Sequence, residues 1–164
     1  AEALKLARQI KKLVRRGAGA RDFIYIGRGV GFPIAMEGAL KLKELRYVHA
    51  EGYAAGELKH GPIALLDPET PLVAIATQGA IYEKVVSNVA EARARSSPVI
   101  AIATVGDDQI DRYAQDVLYV PDIPEAIMPV IAVLPLQLLA YEVAVARGTD
   151  VDQPRNLAKS VTVE

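Results

Sequence analysis

A single lysine, Lys159, lies in the polar segment that closes the chain, residues 150–164. The segment holds only scattered apolar residues and one proline, Pro154, so its sequence predicts neither a helix nor a strand. A lysine amine forms an imine with a carbonyl only in its neutral form, which requires burial or a cationic neighbour that lowers its pKa. Lys159 is therefore a candidate nucleophile, and a solvated charge on the tail is the alternative.

Three charged residues, Glu37, Lys41 and Glu44, form a second candidate group within a predicted helix. At about 100° per residue their side chains share a stripe about 60° wide, directly beside an apolar face. Such a stripe is either a set of charge pairs exposed to solvent or a half-buried network at the edge of a pocket. In the second case a carboxylate can act as a general base.

Histidine occurs at two positions, His49 and His60. They lie on a segment that we predict to be rich in turns, and they lack the spacing of a metal site, so we predict no metal. His60 is flanked by Gly61 and Pro62, which indicates a loop or a helix end. There a histidine can transfer protons near neutral pH or have a structural role.

A glycine-rich loop, Gly27-Arg-Gly-Val-Gly-Phe32, follows an apolar run. We reject a dinucleotide site because Phe32 stands where the G-x-G-x-x-G pattern needs its last glycine. The pattern also needs an acidic residue on a second strand about 20 positions later, and we predict no strand there. A tight turn from a strand into a helix explains the glycines.

These candidates must be positioned by a framework of alternating elements. The apolar pattern predicts helices over 2–16, 33–46, 81–95 and 126–147, and buried strands over 23–27, 72–76, 99–103 and 117–120. Apolar strands separated by helices indicate an α/β fold, a three-layer αβα sandwich with a parallel, flavodoxin-like sheet. Ligands of such sheets bind at the carboxyl ends of the strands, here residues 27–29, 77–79 and 104–107.

Bulk composition narrows the class of protein. The 164 residues are 51% hydrophobic and 24% charged, which fits one globular domain, predicted over 1–149 and followed by the tail 150–164. A net charge of −1 indicates no nucleic-acid partner. There is no cysteine and hence no disulfide or thiolate nucleophile. Prolines and polar residues interrupt the apolar segment 126–146, so we predict a buried helix there and no contact with a membrane.

Three segments together carry a family resemblance: Glu37–Glu44, the run His49-Ala-Glu-Gly-Tyr-Ala-Ala-Gly-Glu-Leu-Lys-His60-Gly-Pro62, and the tail 150–164. They resemble the isomerase region of the glucosamine-6-phosphate synthases, the glutamine:fructose-6-phosphate amidotransferases. That region contains two sugar isomerase (SIS) domains in tandem, and this chain resembles the second from about Phe23 to its end.

The resemblance implies a role for each candidate residue. Glu44 matches the base that moves a proton between C1 and C2 of the sugar, and Glu37 and Lys41 match the charges that support it. His60 matches the residue that opens the fructose ring, reaching the site from the neighbouring subunit. Lys159 matches the lysine that forms an imine with the substrate carbonyl, and Ala158 matches a residue that lies against the sugar.

The resemblance also implies partners. In the family, Ser/Thr-rich loops of the first SIS domain hold the substrate phosphate, whereas the matching loops here, 27–31 and 77–80, contain one hydroxyl, that of Thr77. The chain begins Ala-Glu-Ala, so we expect it to be a piece of a longer protein with a first SIS domain and a glutaminase domain. We further expect a cytoplasmic homodimer that needs no cofactor and acts on fructose 6-phosphate to give glucosamine 6-phosphate.

Two other functions stay open. A sugar-phosphate-binding SIS module with a regulatory or scaffolding role would not need Glu44, His60 and Lys159 together. An isomerase of the same fold that acts alone on another phosphosugar would need phosphate loops of its own. For the leading interpretation we expect the isolated domain to fold and to be almost inactive.

Overall fold

The computed structural model describes residues 2–17 and 19–153. Four helices, α1 to α4, and five strands, β1 to β5, alternate along most of this part of the chain. In chain order they are α1 Glu2–Gly17, β1 Asp22–Gly27, α2 Gly31–Arg46, β2 His49–Ala54, β3 Leu72–Ala76, α3 Tyr82–Arg93, β4 Val99–Thr104, β5 Asp116–Val120 and α4 Met128–Ala146. Short 3-10 helices span Ala55–His60, Pro62–Leu65 and Ile110–Arg112.

All five strands form one parallel sheet in the order β2-β1-β3-β4-β5. This is the flavodoxin-like order, so the predicted fold class is confirmed. The order reverses between β1 and β3, which places the crevice of such a fold beyond Gly27 and Ala76. Two contacts join the three strand ends at this edge of the sheet. The Gln78 N–H donates to Thr104 Oγ1 at 2.9 Å, and a Cβ added at Gly29 would lie 2.9 Å from Ile81 Cδ1.

Side chains of the central strands are buried on both faces because helices cover both sides of the sheet. One cluster of buried residues joins α1, α2 and α4 to one face. A second joins α3 and the 3-10 helices to the other face. Every residue of β3 and β4 is buried, which is the pattern that predicted them.

Strand β2 was not predicted, and the expectation of a turn-rich segment from His49 onward was wrong. Its sequence, HAEGYA, lacks an apolar run, and on this edge strand only Ala50 is fully buried, whereas the other edge strand, β5, has an apolar run and was predicted. Glu51 lies on this strand, so one of the two grounds for rejecting a dinucleotide site fails. The other ground, Phe32, stands.

Helix α4 is apolar, with a mean hydropathy of 1.8, and is the one helix of the described ranges long and apolar enough to cross a membrane. Core helices of soluble proteins can be equally long and apolar. The inner face of α4 packs in the core through Leu136, Leu139 and Val143. The predicted burial is therefore confirmed for that face. The outer face is exposed.

Candidate active site

Glu37, Lys41 and Glu44 lie on α2, which begins at Gly31 within the glycine-rich segment and is capped by Tyr47 in the left-handed conformation (φ 56°). The helix is pressed against the sheet and α4 at Gly38, where an added Cβ would approach Leu136 to 2.7 Å. This packing turns the three charged side chains toward the rim of the helix layer. They are 27–39% exposed, which matches the half-buried network more closely than a fully solvated stripe.

Lys41 joins the two carboxylates. Its Nζ donates to Glu44 Oε2 at 2.7 Å and lies 3.6 Å from Glu37 Oε1. The hydrogen bond to Glu44 is the main reason that the pKa of Lys41 is raised above its ordinary value, and the charges of both glutamates add to it. Lys41 therefore stays protonated at neutral pH and holds the Glu44 carboxylate in one orientation.

The end of α2 that carries Glu44 is fixed to the end of α4 by two contacts. Arg46 Nη1 donates to the Val143 carbonyl at 2.9 Å, and the Thr149 hydroxyl donates to the Leu45 carbonyl at 2.9 Å. Burial, with a smaller effect from Arg147, lowers the pKa of Arg46 to about 10. The chain that leaves α4 toward the tail thus starts beside the helix turn of Glu44. Ala158 and Lys159 lie outside the described residues.

His60 ends the 3-10 helix Ala55–His60, as its neighbours predicted. Its side chain is 72% exposed, and its Nδ1 lies 2.7 Å from Glu57 Oε2. Buried Ala55 and Leu58 attach this 3-10 helix to the α3 face of the sheet, whereas α2 packs on the other face. Within one chain, His60 and the α2 charges therefore belong to different layers.

His49 begins β2 at the edge of the sheet. Its Nδ1 lies 3.0 Å from Asp22 Oδ1, and its Nε2 lies 3.4 Å from Glu51 Oε1. Tyr53 donates a hydrogen bond to Glu51, which is the main reason that the pKa of Glu51 is lowered. Within residues 2–17 and 19–153, no group of three or more His, Asp or Glu side chains is arranged to hold a metal ion.

The crevice at the carboxyl edge contains contacts that the sequence did not reveal. Arg28 Nε donates to Asn88 Oδ1 at 3.2 Å, and the Arg28 guanidinium would lie 3.2 Å from a Cβ added at Gly56. Gly56 lies within the 49–62 run that carries the family resemblance, but that run did not indicate a contact with Arg28, and no motif contains Asn88. Arg28 is therefore held against α3 and the start of the 3-10 helix Ala55–His60.

Two cavities lie elsewhere. A groove of about 600 Å³ between α2 and β2 is lined by Glu37 together with Met36, Leu40 and Tyr53. A cavity of about 680 Å³ lies at the amino ends of the strands and is lined by none of the predicted catalytic residues. Of the three α2 charges, Glu37 lines the first of these cavities, and Lys41 and Glu44 line neither.

Comparison with known proteins places the chain in a family. The SIS domain profile matches residues 18–147. The glutamine–fructose-6-phosphate aminotransferase [isomerizing] of Thermus thermophilus is 63% identical over 145 residues, 88% of this chain and 24% of that protein. The chain thus spans about a quarter of the length of the curated relatives it matches.

Solved structures of other proteins superimpose on this chain. The C-terminal domain of glucosamine-fructose-6-phosphate aminotransferase from Francisella tularensis superimposes with a TM-score of 0.83 and 41% identity, covering 92% of this chain and 43% of that one. Tagatose-6-phosphate ketose/aldose isomerase from Escherichia coli shares the fold, with a TM-score of 0.71 and 19% identity, covering 98% of this chain and 48% of that one. The resemblance predicted from the sequence is confirmed, and the chain belongs to the SIS domain family.

Proposed function

We propose that this chain is the second SIS domain of a glucosamine-6-phosphate synthase and contributes the acid-base half of its isomerase site. The observation that carries the proposal is the Glu37–Lys41–Glu44 network, a half-buried carboxylate held by a protonated lysine. The 63% identity to a glutamine–fructose-6-phosphate aminotransferase supports it. The whole enzyme would convert fructose 6-phosphate and glutamine to glucosamine 6-phosphate and glutamate.

In this proposal the chemistry divides among three residues. His60, reaching the site from a neighbouring subunit, opens the fructose ring so that its carbonyl can react. The amine of Lys159 adds to that carbonyl and water leaves, which gives an imine and makes the neighbouring C–H acidic. Glu44 then moves the proton between C1 and C2 as a general base and acid.

The remaining residues position this chemistry. Lys41 and Glu37 orient the Glu44 carboxylate through the 2.7 and 3.6 Å contacts. The Thr149–Leu45 hydrogen bond starts the tail on the side of α2 that carries Glu44, which supports a site that includes Ala158 against the sugar and Lys159 at its carbonyl. The 150–164 segment acts as the active-site tail of a domain that ends near residue 149.

The proposal includes partners outside this chain. A first SIS domain holds the sugar phosphate and a glutaminase domain supplies ammonia, in a cytoplasmic homodimer that needs neither a metal nor an organic cofactor. Arg28 does not replace the phosphate loop, because its Nε donates to Asn88 and its guanidinium lies against Gly56. The isolated 164-residue chain is expected to fold and to show almost no isomerase activity.

Replacing Glu44 in the full-length enzyme tests the proposal. Glu44→Gln keeps the side-chain shape and removes the base, so we expect kcat to fall by about 10²- to 10⁴-fold while fructose 6-phosphate still binds. Glu83→Gln, on the exposed side of α3, is the matched control and should leave kcat unchanged. A Glu44→Gln enzyme with wild-type kcat would refute the proposed role.

The second candidate, a sugar-phosphate-binding module, is favoured by one observation. At the reversal point of the sheet, where doubly wound folds bind ligands, the loop after β3 contacts both the end of β4 at Thr104 and the loop after β1 at Gly29. Titration calorimetry of the 164-residue chain with fructose 6-phosphate separates the two functions. Tight binding by this chain alone favours the module. Absence of binding favours an enzyme whose phosphate site lies on another domain.

A further inference from the structure

Residues 148–153 connect α4 to the rest of the tail, and we call them the joint. Gly148 has a φ of 70°, in the left-handed region that glycine adopts readily. Its N–H donates to the Val145 carbonyl at 3.0 Å, and the Thr149 N–H donates to the Ala144 carbonyl at 3.1 Å. These two bonds form the Schellman motif that closes a helix, so the chain leaves α4 in a defined direction.

The Thr149 side chain fastens the joint to α2. Its hydroxyl donates to the Leu45 carbonyl at 2.9 Å, and the Ala144 carbonyl, 3.1 Å from the same oxygen, competes for that proton. Carbonyls in the last turn of a helix lack a partner within the helix, and for Leu45 this hydroxyl supplies one. One side chain therefore ties the start of the tail to the helix turn that carries Glu44.

Asp150 fixes the remainder of the joint. Its Oδ1 accepts hydrogen bonds from the backbone N–H groups of Asp152 and Gln153, at 2.9 and 3.0 Å. A carboxylate that bonds to the backbone two and three residues further on forms an Asx turn, which holds the chain in a compact bend. The direction of the backbone is therefore set as far as Gln153.

The joint shortens the segment through which Lys159 is tethered. About six residues lead from Gln153 to Lys159, an extended reach of about 20 Å. If the joint came loose, the tether would begin at the end of α4 and contain about twelve residues. The effective concentration of a tethered group falls roughly as the −3/2 power of tether length, so doubling the length lowers it about threefold.

We propose that Thr149 is a positioning residue for the isomerase reaction, because its bond to the end of α2 keeps the amine of Lys159 near the Glu44 carboxylate. The inference rests on the proposed function, which gives Lys159 and Glu44 their roles. Thr149 acts through the tail, since its hydroxyl bonds to backbone carbonyls. A bond that only stabilised the packing of α2 on α4 would affect folding and leave the formation of the imine unchanged.

Borohydride trapping in the full-length enzyme tests the inference. With fructose 6-phosphate and no glutamine, borohydride adds hydride to the imine carbon and the nitrogen takes a proton from water. The sugar then stays on Lys159 through a secondary amine, which mass spectrometry of the digested protein measures over time. Thr149→Val replaces the hydroxyl with a methyl group and should lower both the trapping rate and kcat at least about threefold. KM for fructose 6-phosphate should change little, because another domain holds the phosphate.

Conservative variants and a matched control accompany this measurement. Thr149→Ser keeps the hydroxyl and should recover trapping and kcat. Asp150→Ala should loosen the joint without touching α2 and lower trapping, whereas Asp150→Asn keeps an accepting oxygen and should recover it. Thr70→Val is the matched control, because Thr70 is buried and its side chain bonds to Asp67 in the turn before β3. It should lower Tm, measured by circular dichroism, and leave trapping and kcat unchanged.

The outcomes separate this inference from the function on which it rests. If Thr149→Val lowers Tm but traps the imine at the wild-type rate, Thr149 has a structural role only and the inference is wrong, while the proposed function stands. Equal losses of trapping in Thr149→Val and Thr70→Val would assign the effect to stability and also overturn it. If the wild-type enzyme forms no adduct at Lys159, the proposed role of that lysine fails, and the inference fails with it.

Discussion

Helix α2 and the 3-10 helix Ala55–His60 carry two residues of the proposed site in contrasting ways. Glu44 is 27% exposed, bonded to Lys41, on a helix of 16 residues whose inner face reaches fully buried Leu42. His60 is 72% exposed, with an equally exposed glutamate as its hydrogen-bond partner, at the end of a six-residue 3-10 helix. The fold of this chain therefore orients the carboxylate in advance but leaves the histidine at the surface.

The contrast indicates which half of the proposed site this chain can complete alone. A general base must be held within hydrogen-bond reach of the proton it moves, and the packing of α2 supplies that restraint. An exposed histidine gains such restraint only when another surface closes over it. The two layers also keep His60 of one chain apart from its own Glu44, which suits a histidine that serves the site of a neighbouring subunit.

Mixing variants of the full-length enzyme tests that contrast and should give the largest effect. Glu44→Gln and His60→Gln should each abolish most isomerase activity. If each site combines Glu44 of one subunit with His60 of the other, coexpressed variants form mixed dimers with one intact site. Activity should then recover to about a quarter of wild type, since about half of random dimers are mixed.

The control is coexpression of the wild-type chain with the double variant Glu44→Gln/His60→Gln. In those mixed dimers each site lacks one of its two residues, so only the pure wild-type dimers should contribute activity. If wild type coexpressed with the double variant is active but the two coexpressed single variants are inactive, both residues of a site come from one chain.

Two glycine substitutions should show that the packing of β2 against α2 tolerates an added methyl group less well than the 3-10 helix Ala55–His60 does. A Cβ at Gly52 would lie 2.7 Å from the Met36 Cα, a backbone atom of α2, so Gly52→Ala should lower the free energy of unfolding by about 1–3 kcal/mol. A Cβ at Gly56 would lie 3.2 Å from the end of the flexible Arg28 side chain, and Gly56→Ala should change stability by less than about 0.5 kcal/mol.

Urea denaturation measures both changes. Gly19→Ala controls for the loss of glycine itself, because no heavy atom lies within 4 Å of the added Cβ. If Gly56→Ala destabilised the domain as much as Gly52→Ala, the 3-10 helix Ala55–His60 would be packed as rigidly as α2.

The same two regions show how far sequence reasoning reaches. Strands β1, β3 and β4 were predictable because burial on both faces leaves an unbroken apolar run in the sequence. The grouping of the three α2 charges was predictable because helical spacing alone places them on one stripe. Strand β2 was not predictable in this way, since HAEGYA has no such run, with His49 exposed and Glu51 partly exposed, whereas the other edge strand, β5, has one.

Long-range contacts were beyond prediction for a different reason. The hydrogen bond from Thr149 to Leu45 joins residues 104 positions apart, and the Arg28–Asn88 bond joins residues 60 apart. No local pattern encodes either one, because both arise only when helices settle on the two faces of the sheet. The assignment of His60 and Glu44 to different layers has the same origin. The roles of Glu44, His60 and Lys159 stay predictions.

The smallest expected effect concerns the Lys41–Glu44 contact that restrains the base. The folded protein raises the pKa of Lys41 above the ordinary 10.5, chiefly through the hydrogen bond to Glu44. A raised lysine pKa adds stability that is fully present below the ordinary value and is lost as pH rises through the folded value. The contact should therefore stabilise α2 at neutral pH and stop doing so in alkaline solution.

Unfolding free energies of wild type and Lys41→Met, compared from neutral pH to above 10.5, measure this loss. The wild-type advantage should shrink by about 0.2–0.5 kcal/mol, the usual size of a partly exposed helical ion pair. Lys84→Met, on the exposed side of α3, controls for the removal of one lysine. If the stability difference between wild type and Lys41→Met did not change with pH, Lys41 would not hold Glu44 through its charge. The restraint on Glu44, the proposed base, would then come from the packing of α2 alone.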